Sequence, residues 1–226
     1  MKDPAGSQPG VTGAGSTRGR GRPATAVLTK RRITSAAARI IHNRGVKRLT
    51  MAALARELGV SVSALYNHTP SKHHVLLGVQ DSLNAEIDCS GFGRLPWERA
   101  LTAWAHSYRA VYARNVELIP VMAVLPVADA PHTLRMYESV ACALVEAGFP
   151  RERVVNMIVA VESLLFGAAY DATAPGNLFD PGELAELAPT FTAAVATRTP
   201  DPTEGADQAF ELALEALLTG FQRLLP

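Results

Sequence analysis

The chain has 226 residues, 48% of them apolar, with a formal net charge of +1 and two cysteines. This length and composition allow a buried core for one large domain, or for a small one and a larger one. Cys89 and Cys142 lie far apart without a histidine at metal-ligand spacing, which argues against a disulfide framework or a zinc site, so we expect two buried thiols. No apolar run approaches the roughly 20 residues of a membrane span. No apolar stretch follows the basic N-terminus, so it is not a secretory signal and we expect a cytoplasmic protein.

The charge is distributed unevenly along the chain. Residues 1–75 hold 13 Lys and Arg against two acids, Asp3 and Glu57, which gives +11 there and leaves −10 for the remainder. No lysine follows Lys72. This asymmetry indicates a polyanionic partner for the front of the chain and a different task for the back.

Residues 1–27 are rich in Gly, Pro, Ser and Thr and show no apolar periodicity, so we predict a disordered basic arm. From Thr29 onwards the apolar residues recur at helical spacing, without strand-like alternation or internal repeats. We therefore predict an all-α fold of about nine helices. The predicted caps of the first four helices are Thr29, Thr50, Ser61 and Ser71.

The segment 49–69 has the pattern of a helix-turn-helix. It places the small Ala53 where two helices touch, Gly59 at the sharp turn, and Val60 and Leu65 where the second helix plugs onto the first. The outward side chains of the second helix are short enough for its backbone to enter a major groove: Ser61, Val62, Ser63, Ala64 and Asn67. We therefore predict a DNA-binding domain at 28–88.

The same segment, "LGVSVSALYNHTPSKHHVL", resembles the recognition-helix signature of the TetR (tetracycline repressor) family of bacterial transcriptional regulators. The resemblance is specific over about residues 29–83, and "FELALEALLTGFQRLL" is similar to the closing dimerisation helix of many members. It implies phosphate contacts from Thr50, Tyr66 and Lys72. It also implies that the residues at or near base edges are Ser61, Val62, Ser63, Ala64, Asn67 and His68.

Two of these roles stay open at the level of the sequence. Asn67 stands where such proteins often have an aromatic or basic residue. Its side chain can pair with adenine through two hydrogen bonds or bond a phosphate. His68 is either a phosphate donor or a cap on the helix end.

The basic arm precedes the predicted DNA-binding domain, so its arginines are candidates for DNA contacts. "RGRGRP", with Arg20 and Arg22, resembles the core of an AT-hook, in which glycines let arginines reach along a narrow A·T-rich minor groove. The alternative is a solvated basic tail that adds only non-specific affinity.

Residues 89–226 are predicted to form a ligand-binding and dimerisation domain. The most uniformly apolar helices, 151–172 and 207–224, are the natural pair for a four-helix interface across a two-fold axis, and the resemblance implies the same. Such a dimer would place two recognition helices on a palindromic operator.

An apolar cavity in this domain is the predicted effector site, although ordinary core packing explains each residue equally well. The candidate residues are Trp104, Tyr108, Met122, Tyr137, Met157, Glu162 and Phe166. Glu162 is the most informative because a carboxylate in an apolar stripe needs a partner. It either binds a polar ligand group, pairs with Arg109 or Arg135, or points to solvent. For His106 we favour a structural role.

These observations predict a homodimeric repressor that a small molecule releases from its operator. The resemblance implies that the ligand would act by moving the fourth helix, which joins cavity and DNA reader. The alternative is a regulator whose C-terminal domain only dimerises and senses no ligand. No nucleophile–base pair, phosphate loop or metal-ligand spacing is present, so we predict neither an enzyme nor a metal or cofactor.

Overall fold

The computed structural model describes residues 28–225, and within that range the chain contains ten α-helices, three short 3-10 helices and no strand. The all-α prediction is confirmed. The α-helices are α1 Lys30–Arg44, α2 Met51–Leu58, α3 Val62–Tyr66, α4 Lys72–Asn84, α5 Trp97–Ala113, α6 Ile119–Met122, α7 Pro131–Glu146, α8 Arg151–Asp171, α9 Pro189–Ala196 and α10 Pro202–Gln222. The 3-10 helices are Val46–Arg48, Val116–Leu118 and Gly182–Leu187.

The first four helices begin where hydroxyl side chains predict that they should. Thr29, Thr50, Ser61 and Ser71 each accept a hydrogen bond from the backbone N–H three residues later, at 3.0–3.4 Å. Each bond satisfies one of the amides that a helix N-terminus leaves without an internal partner. These four starting points are therefore determined locally.

The third helix has only five residues. It ends at Tyr66, where the His68 backbone N–H bonds the Leu65 carbonyl at 3.0 Å. This bond spans three residues rather than four, so the last turn is tightened before Pro70, which disfavours helical backbone in the residue that precedes it.

Apolar side chains tie the first four helices into one unit. The buried residues of α1 recur at helical spacing and are Ile33, Ala36, Ala37, Ile40 and Ile41. They pack with α2 and α4, and Leu65 of α3 is completely buried, as its predicted role as a plug requires. Burial of a side chain of this size contributes about 1.5–3 kcal/mol to folding.

The C-terminal helices pack in a layer around α8, which contacts α5, α7 and α10. The 3-10 helix Val116–Leu118 leads directly into α6. The 3-10 helix Gly182–Leu187 ends before α9, because Pro189 starts a new helix there.

The expectation of two buried thiols is wrong. Cys142 is exposed on α7 and donates its S–H to Glu138 Oε1 at 3.3 Å, and Cys89 is only half-buried.

The α8 segment is long and apolar enough to cross a membrane by length and composition, with a mean hydropathy of 1.4 in its most apolar window. Its packing against three neighbouring helices is that of a core helix.

Polar contacts join α4 to the C-terminal helices. Asp81 Oδ1 accepts hydrogen bonds from the first backbone N–H groups of α7, those of His132 (2.8 Å) and Thr133 (2.9 Å). One turn on, Asn84 donates to Thr133 Oγ1 at 2.9 Å, and Gln80 donates to the Met122 carbonyl at 3.0 Å. A single helix thus belongs to both halves of the molecule.

The crossing of α1 and α4 gives a test of this packing. A Cβ atom at Gly78 would lie 2.7 Å from Thr34 Cγ2, and a β-branched side chain has little rotamer freedom to move away. We expect Gly78→Ala to lower the free energy of unfolding by about 1–3 kcal/mol, measured by urea denaturation at fixed protein concentration.

A second substitution isolates the clash. Thr34→Ser removes the methyl group and keeps the hydroxyl that bonds the Arg31 carbonyl. In that background Gly78→Ala should be neutral or stabilise by up to about 1 kcal/mol, the helix preference of Ala over Gly. Equal losses in both backgrounds would show that the two helices do not cross at these residues.

Candidate DNA interface and ligand-binding core

The recognition helix α3 is presented by the turn before it. Gly59 adopts the left-handed conformation (φ 68°, ψ 32°), which glycine reaches without steric cost. Ser61 then caps α3, and its hydroxyl also lies 3.0 Å from that of Ser63. Val62 is 39% and Tyr66 48% exposed although both are apolar or aromatic, so this face has no partner within the described chain.

The structure brings most predicted DNA-contacting residues to this one face. The exposed members of the set are Thr50, Ser61, Val62, Ser63, Tyr66, Asn67 and His68, and Ala64 is half-buried. Lys72 differs, because its ammonium Nζ donates to the Val46 carbonyl at 3.4 Å. An ammonium has three donors, so a phosphate can still be bound beside that contact. Arg20 and Arg22 lie outside the described residues.

The charge around α3 suits a polyanion. Glu57 is the only acid between residues 28 and 80. Arg39 Nη2 lies 3.4 Å from Glu57 Oε1, so a neighbouring positive charge offsets the charge of this carboxylate. The other exposed lysines and arginines between residues 28 and 80 are Lys30, Arg31, Arg44, Lys47, Arg48 and Arg56.

In the C-terminal domain, three helices bring a carboxylate and two phenols together. Glu162 Oε1 on α8 accepts hydrogen bonds from the hydroxyls of Tyr108 on α5 (3.0 Å) and Tyr137 on α7 (2.8 Å). We call these three residues the tyrosine–carboxylate cluster. Arg109, one of the arginines predicted to pair with Glu162, instead binds Asp207. No ion pair joins Glu162 to Arg109 or Arg135 within the described residues, and its Oε1 is held by two tyrosines from neighbouring helices, so the arginine-pairing and solvent-facing alternatives are wrong.

The surroundings of the cluster alter its proton affinities. Burial raises the pKa of Glu162 above its usual range, and the two tyrosine hydrogen bonds lower it in part. Burial, followed by the nearby Glu162 charge, raises the pKa of Tyr137 well above 10, so this phenol remains a donor at neutral pH. The cluster is thus a fixed set of donors and one acceptor in an apolar setting.

The remaining predicted ligand-binding residues pack around this cluster. The Tyr108 ring stacks on Tyr112 at 4.8 Å, and Phe166 lies edge-on to Tyr108 at 5.7 Å. Trp104, Met122 and Met157 are fully buried. The Trp104 indole N–H has no hydrogen-bond partner within the described chain. His106 has the structural role we favoured, since it pairs with Glu211 at 3.2 Å and lies against Phe210.

Comparison with known proteins agrees with this arrangement. Residues 33–79 match the family described as bacterial regulatory proteins, tetR family, and residues 93–225 match the tetracyclin repressor-like C-terminal domain. The chain belongs to the TetR family. Members of this family are DNA-binding transcriptional regulators and not enzymes.

Individual relatives share less than 30% sequence identity with this chain. A curated HTH-type transcriptional regulator of Saccharopolyspora erythraea is 29% identical over 142 residues, which cover 63% of this chain and 60% of that protein's length. The ActR structure of Streptomyces coelicolor in complex with (S)-DNPA superposes with a TM-score of 0.70 at 22% identity, covering 86% of this chain and 97% of ActR. The ActR complex with actinorhodin gives 0.68 at 20% identity, covering 86% and 99%. These structures establish the shared TetR fold.

Sequence reasoning missed the residues that join this TetR-family core to the DNA reader. The Tyr112 hydroxyl donates to Asn84 Oδ1 on α4 at 2.8 Å, and the Tyr112 ring stacks on Tyr108 of the cluster. The spacing of Tyr108 and Tyr112, one helical turn apart, was the available signal. Asn84 gave none, because its partner comes from a different part of the chain.

The pKa of Glu162 predicts a pH dependence of stability. Since folding raises this pKa above the ordinary 4.5, the folded chain holds more protons than the unfolded chain between the two values. The free energy of unfolding should therefore fall, relative to that of Glu162→Gln, as pH rises from 4.5 through the folded pKa. Urea unfolding of both proteins across this range measures the difference.

Tyr137→Phe is the matched control. It deletes one of the hydroxyls that lower the Glu162 pKa, so the loss should again begin near pH 4.5 but extend to higher pH and become larger. If the free energy of unfolding varies with pH in the same way for the wild type and Glu162→Gln, folding does not change the pKa of Glu162.

Proposed function

We propose that this TetR-family protein is a homodimeric repressor whose α3 reads a palindromic operator. A small molecule bound at the tyrosine–carboxylate cluster releases it. The observation that carries the proposal is the continuous contact from Glu162 through Tyr108 and Tyr112 to Asn84 on α4. Because only five residues separate α3 from α4, a rearrangement of the cluster reaches the DNA reader directly.

The proposed DNA contacts divide into two kinds. Thr50, Tyr66 and Lys72 contact phosphates, which position the protein without reading sequence. The residues at or near base edges are Ser61, Val62, Ser63, Ala64, Asn67 and His68. The arm, with Arg20 and Arg22, adds contacts in the flanking minor groove.

The proposed dimer uses the outer face of α8 and α10. Val155 is 67%, Val159 52% and Leu212 71% exposed, although each is a large apolar side chain. A groove of about 350 Å³ between the two helices is lined in part by small residues, among them Gly167 and Ala209, which allow close approach of a second helix pair. Two-fold pairing there would set the recognition helices about 34 Å apart, one turn of DNA.

The proposed effector combines an apolar body with a polar group that exchanges hydrogen bonds with the cluster. Its identity is open, but the ligands of the two ActR complexes, (S)-DNPA and actinorhodin, are reasonable first probes. A ligand shifts the equilibrium between DNA-bound and released forms only by its different affinity for the two. We propose that the protein works in the cytoplasm.

A second candidate function follows from the close packing of the core. Rings of Tyr108, Tyr112 and Phe166 lie within 4.8–5.7 Å of one another, which fills the centre of the predicted cavity. A core that never opens would make the C-terminal domain a dimerisation module without a ligand. The two functions differ in whether any small molecule weakens operator binding.

The DNA proposal predicts the outcome of a binding-site selection from random duplexes. The purified protein should recover a palindrome with half-sites about one helical turn apart. Asn67→Ala should relax preference at one position of each half-site, a loss of about 1–3 kcal/mol of discrimination, if Asn67 pairs with adenine. Uniform weakening on every sequence would show that Asn67 binds a phosphate instead.

Two matched variants and a truncation complete the selection. Val159→Glu should recover only single half-sites because the dimer is lost, while Leu134→Glu, at a similarly exposed site on α7, should still recover the palindrome. A chain starting at residue 28 should lose its preference for A·T flanks. If that preference survives, the arm does not read the minor groove.

The effector proposal predicts that a small molecule releases the protein from the selected operator. Fluorescence anisotropy of labelled operator measures this release, with a metabolite library that includes (S)-DNPA and actinorhodin. Tyr137→Phe should weaken the response to any releasing compound about tenfold, a change of about 1.4 kcal/mol, and leave ligand-free operator affinity unchanged. Tyr170→Phe, at an exposed tyrosine on α8, is the control. Release that is equal in wild type and Tyr137→Phe would place the effector elsewhere, and no release at all would favour the dimerisation-only function.

A further inference from the structure

A second cavity lies at the junction of the two halves, away from the tyrosine–carboxylate cluster. It has a volume of about 570 Å³ and runs between α1, α4 and the start of α7. One end lies at the turn between α3 and α4, with His68, and the other at the start of α7, with His132. We call it the junction groove. None of the seven predicted effector residues lines it.

The walls of the junction groove are largely apolar. The exposed side chains of Pro70, Ala85 and Pro131 line it, and the nearly buried Ile33, Val75 and Leu77 form its floor. A wall of this kind binds the hydrocarbon part of a small molecule, since burial of apolar surface contributes about 25 cal/mol per Å². Apolar walls with a few fixed polar groups are typical of ligand sites.

Asp81 is the polar group that sets the sign of the ligand charge. Its side chain is buried, with 9% exposure, and lines the groove. Oδ1 holds the start of α7 through His132 and Thr133, but Oδ2 has no hydrogen bond or ion pair within the described chain. Oδ2 is also not sealed from solvent, so the groove is its opening. A carboxylate oxygen that opens into a groove from an otherwise buried side chain, and has no protein donor, accepts a hydrogen bond from a ligand N–H group.

The other charged and titratable residues of the groove have less influence. Lys30, Arg31, His68, His74, Asp129 and His132 are all exposed. Solvent screens exposed charges, whereas a buried one acts at a lower effective dielectric. Asp81 therefore outweighs them in selecting between a cationic and an anionic ligand.

We propose that the junction groove binds a small amphipathic primary amine. The ammonium donates to Asp81 Oδ2, and the apolar body lies along Pro70, Ala85 and Pro131. Such a ligand touches α1 and α4 of the DNA-binding domain and the start of α7 in the C-terminal domain. It would therefore bias the angle between the two halves independently of the effector site.

The test compares three probes with the same apolar body: 4-phenylbutylamine, 4-phenylbutanol and 4-phenylbutyrate. Isothermal titration of the full chain should show the amine binding at least tenfold more tightly than the alcohol, and the carboxylate more weakly than either. Equal affinity of amine and alcohol would overturn the role of Asp81. Tightest binding of the carboxylate would show that the rim cations select the ligand and would equally overturn the proposal.

Two variants locate the site. Ser82→Leu fills the groove from α4 and should abolish amine binding, while Ser139→Leu on α7 should not. The pair is matched because each serine hydroxyl bonds the carbonyl four residues earlier, at 2.8 and 2.9 Å. Amine binding that survives Ser82→Leu would place the ligand outside the groove.

Asp81→Asn tests the charge without removing the acceptor that holds α7. It should reduce amine affinity at least tenfold and leave alcohol affinity unchanged. Circular dichroism of each variant monitors folding. Since no DNA is present in these titrations, their result is independent of whether the repressor proposal is correct.

Discussion

The architecture depends on α4 being shared by two cores. One of its faces buries Val75 and Val79 against α1, and the turns near its end carry Gln80, Asp81 and Asn84 into contact with α6, α7 and α5. The polar bonds are buried, so breaking one leaves a donor or acceptor without water and costs about 1–3 kcal/mol. The C-terminal helices therefore cannot rearrange greatly without changing what α4 contacts.

That constraint explains how a chain with a small DNA reader can be regulated from a distance. Glu162 lies on α8, yet only two side chains, Tyr108 and Tyr112, separate it from Asn84 on α4. Stacked rings and short hydrogen bonds pass a displacement on, because packed interiors have few voids to absorb it. The junction groove lies on another side of the same helix, so two ligands could act on α4 in different ways.

The sequence predicted the parts of this molecule that are local. Caps at Thr50 and Ser61, the turn at Gly59 and the plug at Leu65 each depend on neighbouring residues, and all were correct. The partners of Glu162 were not predicted because they come from positions 54 and 25 residues earlier on other helices. The side of α7 that Cys142 occupies likewise depends on which face packs against α8.

The composition of α8 is understood once its two surroundings are separated. Met157, Val161 and Leu165 face the protomer core, whereas Val155 and Val159 face outward and have no covering element within the described chain. In the proposed dimer, α8 buries one face inside its own chain and the other against a second copy. A helix with two buried faces is apolar nearly all round, which gives it the hydropathy of a membrane span. Glu162 marks the boundary between these surroundings: it is too buried to be a surface carboxylate and is held by tyrosines instead of a cation. Because Glu162 lies on α8, the proposed effector site and the proposed dimer face share one helix. A movement of α8 at one of them therefore changes the geometry of the other.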